Sequence, residues 1–146
     1  MKINKTCLLL LFLLLAICAN AQEKQNIWRA LSEVSYEISE DDYGELYLPA
    51  FSEKIKKLEG KEVAAEGYII PFEGMFKPHH IILSSLPIAE CYFCGSGGPE
   101  TVMEVYLKEP IEYTSKRVKV KGTLKLNAKD PEKLMYILQE GKLVDD

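Results

Sequence analysis

The feature that most limits what this chain can fold into is a succession of five short strand-like runs between Lys61 and Gln139. In KEVAAEGYIIP, Val63, Ala65, Gly67 and Ile69 fall on one face and Glu62, Glu66 and Tyr68 on the other, with Pro71 ending the run. A period of two is that of a half-buried strand. HHIILSS is a short β-branched run, and TVMEVYL sets Met103, Val105 and Leu107 against Glu104 and Tyr106. RVKVKGTLKL sets Val118, Val120, Leu124 and Leu126 against Arg117, Lys119, Lys121 and Lys125, and KLMYILQ supplies the fifth strand. Gly67 and Gly122 sit inside two of these runs, where a sheet must bend tightly. The pattern predicts a small curled five-stranded barrel of OB-like type rather than a flat sheet. In that topology the first and fourth strands are neighbours. Glu62 and Glu66 are then expected to pair across strands with Lys119 and Lys121, which makes the lysine stripe structural rather than a ligand patch.

Ahead of the barrel, Ile27, Trp28, Leu31 and Val34 fall at helical spacing, and SYEISEDDYGELYLP is acidic and turn-rich, irregular or hairpin-like. In PAFSEKIKKLEG, Phe51, Ile55 and Leu58 form an i, i+4, i+7 stripe. Pro49 suits the start of that helix and Gly60 its stop. The fold class expected is mainly β (α+β), with an N-terminal helical segment on the barrel.

The chain opens MKINKTCLLLLFLLLAICANAQ, in which Lys2 and Lys5 precede an apolar run from Cys7 to Cys18 and the triplet Ala19-Asn20-Ala21. This has the form of a secretory signal peptide cleaved after Ala21. The apolar run is shorter than the roughly 20 residues that span a bilayer, so no stable membrane insertion is expected after cleavage. A lipid anchor on Cys18 fits less well, because Leu15-Ala16-Ile17 puts a bulky residue before it. The expected layout is a signal peptide over 1–21, a helical and irregular lead-in over 22–47, and a barrel domain over 48–146, exported to a periplasm or secreted. Removing Lys2 and Lys5 leaves 16 of 18 basic residues against 22 acidic ones and moves the formal charge from −4 to −6. That acidity excludes a basic nucleic-acid footprint despite Tyr36, Tyr43, Tyr47 and Tyr68.

Cleavage also removes Cys7 and Cys18, so Cys91 and Cys94 in AECYFCGSGGPE are the remaining thiols. A C-x2-C pair is half of a tetrahedral zinc site. The two histidines, His79 and His80, open the second strand, and alternation lets one of them turn toward a given face. Glu90, Glu100 or Glu104 could supply a further donor. Cys91, Cys94, His79 or His80, and Glu100 form the candidate metal set. Zinc is the first choice, and copper(I) suits two soft sulfurs with fewer ligands. The same pair could instead close a disulfide in an oxidising compartment. A thiol oxidoreductase would place C-x2-C at a helix start, whereas Gly-Ser-Gly-Gly-Pro follows here. Covalent haem attachment needs a His after the second Cys, and Gly95 stands there. GSGGPE matches no phosphate-loop pattern, and no G-x-S-x-G elbow is present for a serine nucleophile. Tyr92 and Phe93 are expected to pack the loop onto the barrel.

Taken together, LEGKEVAAEGYIIPFEG, HHIILSS, CYFCGSGGPETVMEV, VKVKGTLKLN and LMYIL resemble a family of exported bacterial proteins of unknown function. Its outline is a GK-V-x-x-x-GY-x-x-P strand, a Cys-rich loop with C-x2-C-G, and a V-x-V-x-G strand in an OB-like barrel. The resemblance runs from about Leu48 to Gln139 and implies fold and location rather than activity. The sequence therefore leads to a non-enzymatic binding or accessory module that holds zinc or another transition metal and meets an unidentified protein partner. The alternatives are a disulfide-stapled interaction module without metal and a thiol-disulfide oxidoreductase.

Overall fold

The computed structural model describes residues 26–41, 44–71 and 76–144. The expected signal segment lies outside them, as do Tyr43 and the 72–75 connection; no helix among the described residues is long and apolar enough to cross a membrane. The N-terminal part begins with α1 (Ile27–Leu31), capped by the Asn26 side chain, which accepts from the Trp28 amide. Strands β1 (Ser35–Asp41) and β2 (Gly44–Ala50) then pair as an antiparallel hairpin. Helix α2 (Glu53–Lys56) is one turn long, and Ser52, not Pro49, begins it: the Ser52 hydroxyl accepts from the Ile55 amide. Pro49 lies inside β2 opposite Tyr36. The expected stripe nevertheless packs as a unit, with Ile55 buried and Phe51 and Leu58 against the same core, and Gly60 ends the turn at φ 73°.

Strands β3 (Glu62–Ile70), β4 (His80–Ser84), β5 (Val102–Leu107), β6 (Val118–Leu126) and β7 (Tyr136–Leu143) close a barrel in the order β3-β4-β5-β7-β6. Counted within the barrel, the order is first, second, third, fifth, fourth, which is the OB-like arrangement expected. Every pair is antiparallel except β5 with β7. Glu66 stands opposite Lys119, and the expected ion pairs are present: Lys119 Nζ to Glu66 Oε1 at 3.4 Å and Lys121 Nζ to Glu62 Oε1 at 2.6 Å. The Lys121–Glu62 pair is exposed and contributes at most about 1 kcal/mol, whereas the Lys119 side chain is only 16% exposed. Gly67 marks the expected bend. A Cβ there would lie 2.3 Å from the Ser84 carbonyl oxygen, so only glycine lets β3 cross β4 so closely.

The barrel interior and the N-terminal segment share one core. Ile27, Trp28 and Leu31 of α1 lie in the same cluster as Ala65, Leu83, Met103, Val105, Val120, Leu124, Tyr136 and Leu138. Two polar groups fix α1 in place. The Trp28 indole Nε1 donates to the Glu66 carbonyl at 2.8 Å, and the buried Tyr136 hydroxyl donates to the Leu31 carbonyl at 2.7 Å. Tyr136→Phe removes this buried hydrogen bond and leaves the Leu31 carbonyl with the Val34 amide at 3.3 Å, and is expected to lower stability by about 0.5–1.5 kcal/mol. Gly67→Ala, which forces backbone movement, is expected to lose about 1–3 kcal/mol. Urea unfolding of each variant measures both.

Candidate functional site

The segment between β4 and β5 carries the two thiols. Its base is pinched shut, because the Ser85 amide and hydroxyl both donate to the Thr101 carbonyl, at 2.9 and 3.2 Å. A 3₁₀ turn over Ile88–Glu90 leads into Cys91, and a second over Pro99–Thr101 leads into β5. Between them the chain folds on itself: the Cys94 and Gly95 amides donate to the Cys91 carbonyl at 3.2 and 2.8 Å, and the Gly97 amide donates to the Glu90 carbonyl at 3.0 Å. A Cβ at Gly95 would lie 2.5 Å from the Ala89 carbonyl oxygen, so the residue after the second cysteine must be glycine for the loop to close this tightly.

Both thiols are free, Cys91 fully buried and Cys94 exposed. They adjoin each other. Loss of hydration around its sulfur, and then the charge and hydrogen bond of Cys91, hold the Cys94 thiol above its ordinary value. Two of the other candidate donors have partners of their own. Glu100 receives the Tyr36 hydroxyl at 3.4 Å, His79 is exposed, and His80 Nε2 lies 3.0 Å from Glu104 Oε2. His80 opens β4 while the Cys loop follows its far end at Ser84, a separation of roughly 13 Å at about 3.3 Å per strand residue. Among the described residues no three His, Cys, Asp or Glu side chains form a group suited to a metal ion. Tyr92 and Phe93, expected to pack the loop onto the barrel, are 42% and 37% exposed. They meet edge to face, with ring centroids 5.2 Å apart. Beside them a groove of about 390 Å³ runs between the loop, the hairpin and the β6–β7 connection, lined by Tyr36, Tyr47, Pro49, Tyr92, Pro99 and Pro131.

The comparisons with known proteins are sparse. No family model matches the chain, and no curated protein matches it. Among solved structures, it is similar to the crystal structure of a DUF3299 family protein from Pseudomonas aeruginosa, at 19% identity and a TM-score of 0.45. The likeness covers 63% of this chain and 66% of that one, just under two thirds of the other protein.

One polar cluster went unseen in the sequence. Glu104, read there as an outward residue of β5, is buried and fully partnered: Oε2 meets His80 and accepts the Tyr106 hydroxyl at 2.8 Å, and Oε1 accepts the Leu134 amide at 2.7 Å. The His80 ring stacks on Tyr106 at 4.3 Å. The signal was the register, since His80 opposes Tyr106 and Ile82 opposes Glu104, which puts the three polar side chains on one face. Glu104→Ala removes the acceptor for three donors. It is expected to lower stability by about 1–3 kcal/mol and to speed hydrogen exchange at the Leu134 amide.

Two phenols carry a pH signature. Burial and then the Glu100 carboxylate push Tyr36 up to about 12, and burial and then the hydrogen bond to Glu104 push Tyr106 up to about 12, both from an ordinary 10.0. The folded state thus keeps these protons more tightly than the unfolded chain. Their contribution to stability is fully present below the unfolded value near 10 and is lost as pH rises through about 12. Urea midpoints across that window should fall less steeply in a Tyr36→Phe, Tyr106→Phe double variant.

Proposed function

We propose that this protein is an exported, non-enzymatic binding module whose working group is the Cys91–Cys94 dithiol. The pair grips a soft transition-metal ion, zinc or copper(I), through two sulfurs and leaves the remaining positions to donors from outside the chain. One observation carries this reading: the loop holds the two thiols against each other, while His80 and Glu100 are engaged with Glu104 and Tyr36. Paired thiols select soft ions, and two sulfurs fill half of a tetrahedral zinc shell. Cys94 at the surface is the side from which an ion and its other ligands would arrive.

A metal ion binds the thiolates, so loading releases protons and competes with them. Because the Cys94 thiol is held above its ordinary value, protons compete for it more strongly than for a free thiol. Protein prepared under reducing, anaerobic conditions should take up one zinc or copper(I) ion per chain against a chromophoric chelator. Affinity should fall roughly 10- to 100-fold per pH unit on acidification, as one or two protons are displaced. Cys91→Ser and Cys94→Ser should each abolish loading. Unchanged metal content in both variants sinks the proposal.

The second reading is a disulfide-stapled interaction module, and a specific feature favours it. The Cys94 amide bonds to the Cys91 carbonyl in a four-residue turn, whose ends lie less than about 7 Å apart, within the Cα separation a disulfide needs. Free-thiol titration of material taken directly from the exporting cell separates the two, since the stapled form has no titratable thiol and no metal. Exchange catalysis is the weakest of the three, because it wants C-x2-C at the start of a helix, and Gly-Ser-Gly-Gly-Pro follows the pair here.

A further inference from the structure

The β1–β2 hairpin forms a sheet of its own, with no third strand on either side among the described residues. Pro49 shows which backbone groups face outward. It has no N–H to give, and a proline is tolerated in a strand pair where that N–H would point away from the partner. Pro49 pairs with Tyr36, and Ile38 with Tyr47. In an antiparallel ladder outward-facing positions recur every second residue, so the amides and carbonyls of Tyr36, Ile38 and Glu40 lie along the outer edge of β1. Outside the β1–β2 ladder none of them bonds to another backbone group among the described residues. Residues 35–40 are exposed throughout, and Ile38 is 63% exposed.

Free edges of this kind are usually blunted by lysine, proline or a covering loop. Here Pro49 blunts β2, whereas β1 has no proline and no lysine. What β1 carries instead is negative charge. From Ala30 to Ser52 the chain has Glu33, Glu37, Glu40, Asp41, Asp42 and Glu45 and no Lys, Arg or His. Glu37 and Glu40 make no ion pair among the described residues. Alternation places Tyr36 and Ile38 on one face of the strand and Glu37 on the other. Like charges directly opposite each other are destabilising, so this edge repels a second copy of itself.

We propose that the outer edge of β1 is a docking strand. It accepts an extended segment of a partner protein in which apolar residues alternate with lysines or arginines, adding a third strand to the hairpin. Main-chain hydrogen bonds from Tyr36, Ile38 and Glu40 hold the segment, its apolar side chains meet Tyr36 and Ile38, and its basic ones meet Glu37. The acidic edge selects against self-pairing and for a basic strand. This assignment is independent of what the two thiols hold.

The test uses a blocked peptide of four Val-Lys repeats, with a Val-Glu peptide of the same length as its counterpart, titrated into the protein by calorimetry and by amide NMR. The Val-Lys peptide is expected to bind saturably, at least tenfold more tightly than Val-Glu, and to slow hydrogen exchange at the Tyr36, Ile38 and Glu40 amides. Ile38→Pro removes one outward donor as Pro49 does on β2 and should weaken binding at least tenfold. Glu37→Lys keeps every backbone donor and should shift preference toward Val-Glu, so the proposal stays testable if the proline variant misfolds. Binding of Val-Lys with no change in those three amides would reduce the surface to a diffuse charge effect and overturn the proposal. Absence of binding, or self-association of the protein through β1 in sedimentation, would overturn it equally.

Discussion

The parallel pairing of β5 with β7 is the constraint on which the rest of the structure depends. Hairpin-like neighbours alone would leave β3-β4-β5 as one sheet and β6-β7 as another. Closure requires β6 to return to β3 and β7 to lie alongside β5, and only then do all five strands lose their free edges. Because parallel strands are stable when covered on both faces, this seam is the most buried part of the barrel. Val102, Met103, Glu104 and Val105 are buried in succession on β5, as are Tyr136, Ile137 and Leu138 on β7. Glu104 stands opposite Ile137 within it.

That burial explains the unusual polar chemistry of the seam. A carboxylate there must be fully hydrogen-bonded to be tolerated, and Glu104 is satisfied by His80, Tyr106 and the Leu134 amide. It thereby ties the β6–β7 connection onto the outer face of β4 and β5. His80, one of the candidate metal ligands, meets this carboxylate at 3.0 Å. The same economy appears at the other end of the core, where the Trp28 and Tyr136 side chains satisfy or use backbone carbonyls and fasten α1 to the barrel.

The surface has a different character. The Cys loop closes on its own backbone through glycine contacts and leaves Cys94, Tyr92 and Phe93 at the surface. The hairpin stands next to it across a groove walled by tyrosines and prolines. The rigid barrel thus carries two features that it does not itself consume, a dithiol and an open acidic strand. Both lie on peripheral segments positioned by a packed scaffold.

Much of the scaffold was legible in the sequence because strand alternation, tight-bend glycines and cross-strand charge pairs are written at short range. Val63, Ala65, Gly67 and Ile69 declare the inner face of β3 without reference to anything distant, and the C-x2-C-G spacing already implies a compact turn. The sequence by itself therefore determined five strands, the barrel class and a C-x2-C thiol pair between the second and third of those strands. It misplaced the start of α2, because Pro49 satisfies a helix start and a hairpin edge equally well until β1 is there to pair with it. It also left open which of His79, His80, Glu100 and Glu104 would accompany the cysteines. Those partners are chosen by register and closure, which depend on contacts between residues far apart in the chain. Only the tertiary structure could turn His80 to Glu104, bring Glu100 to Tyr36, and leave Cys91 and Cys94 facing each other.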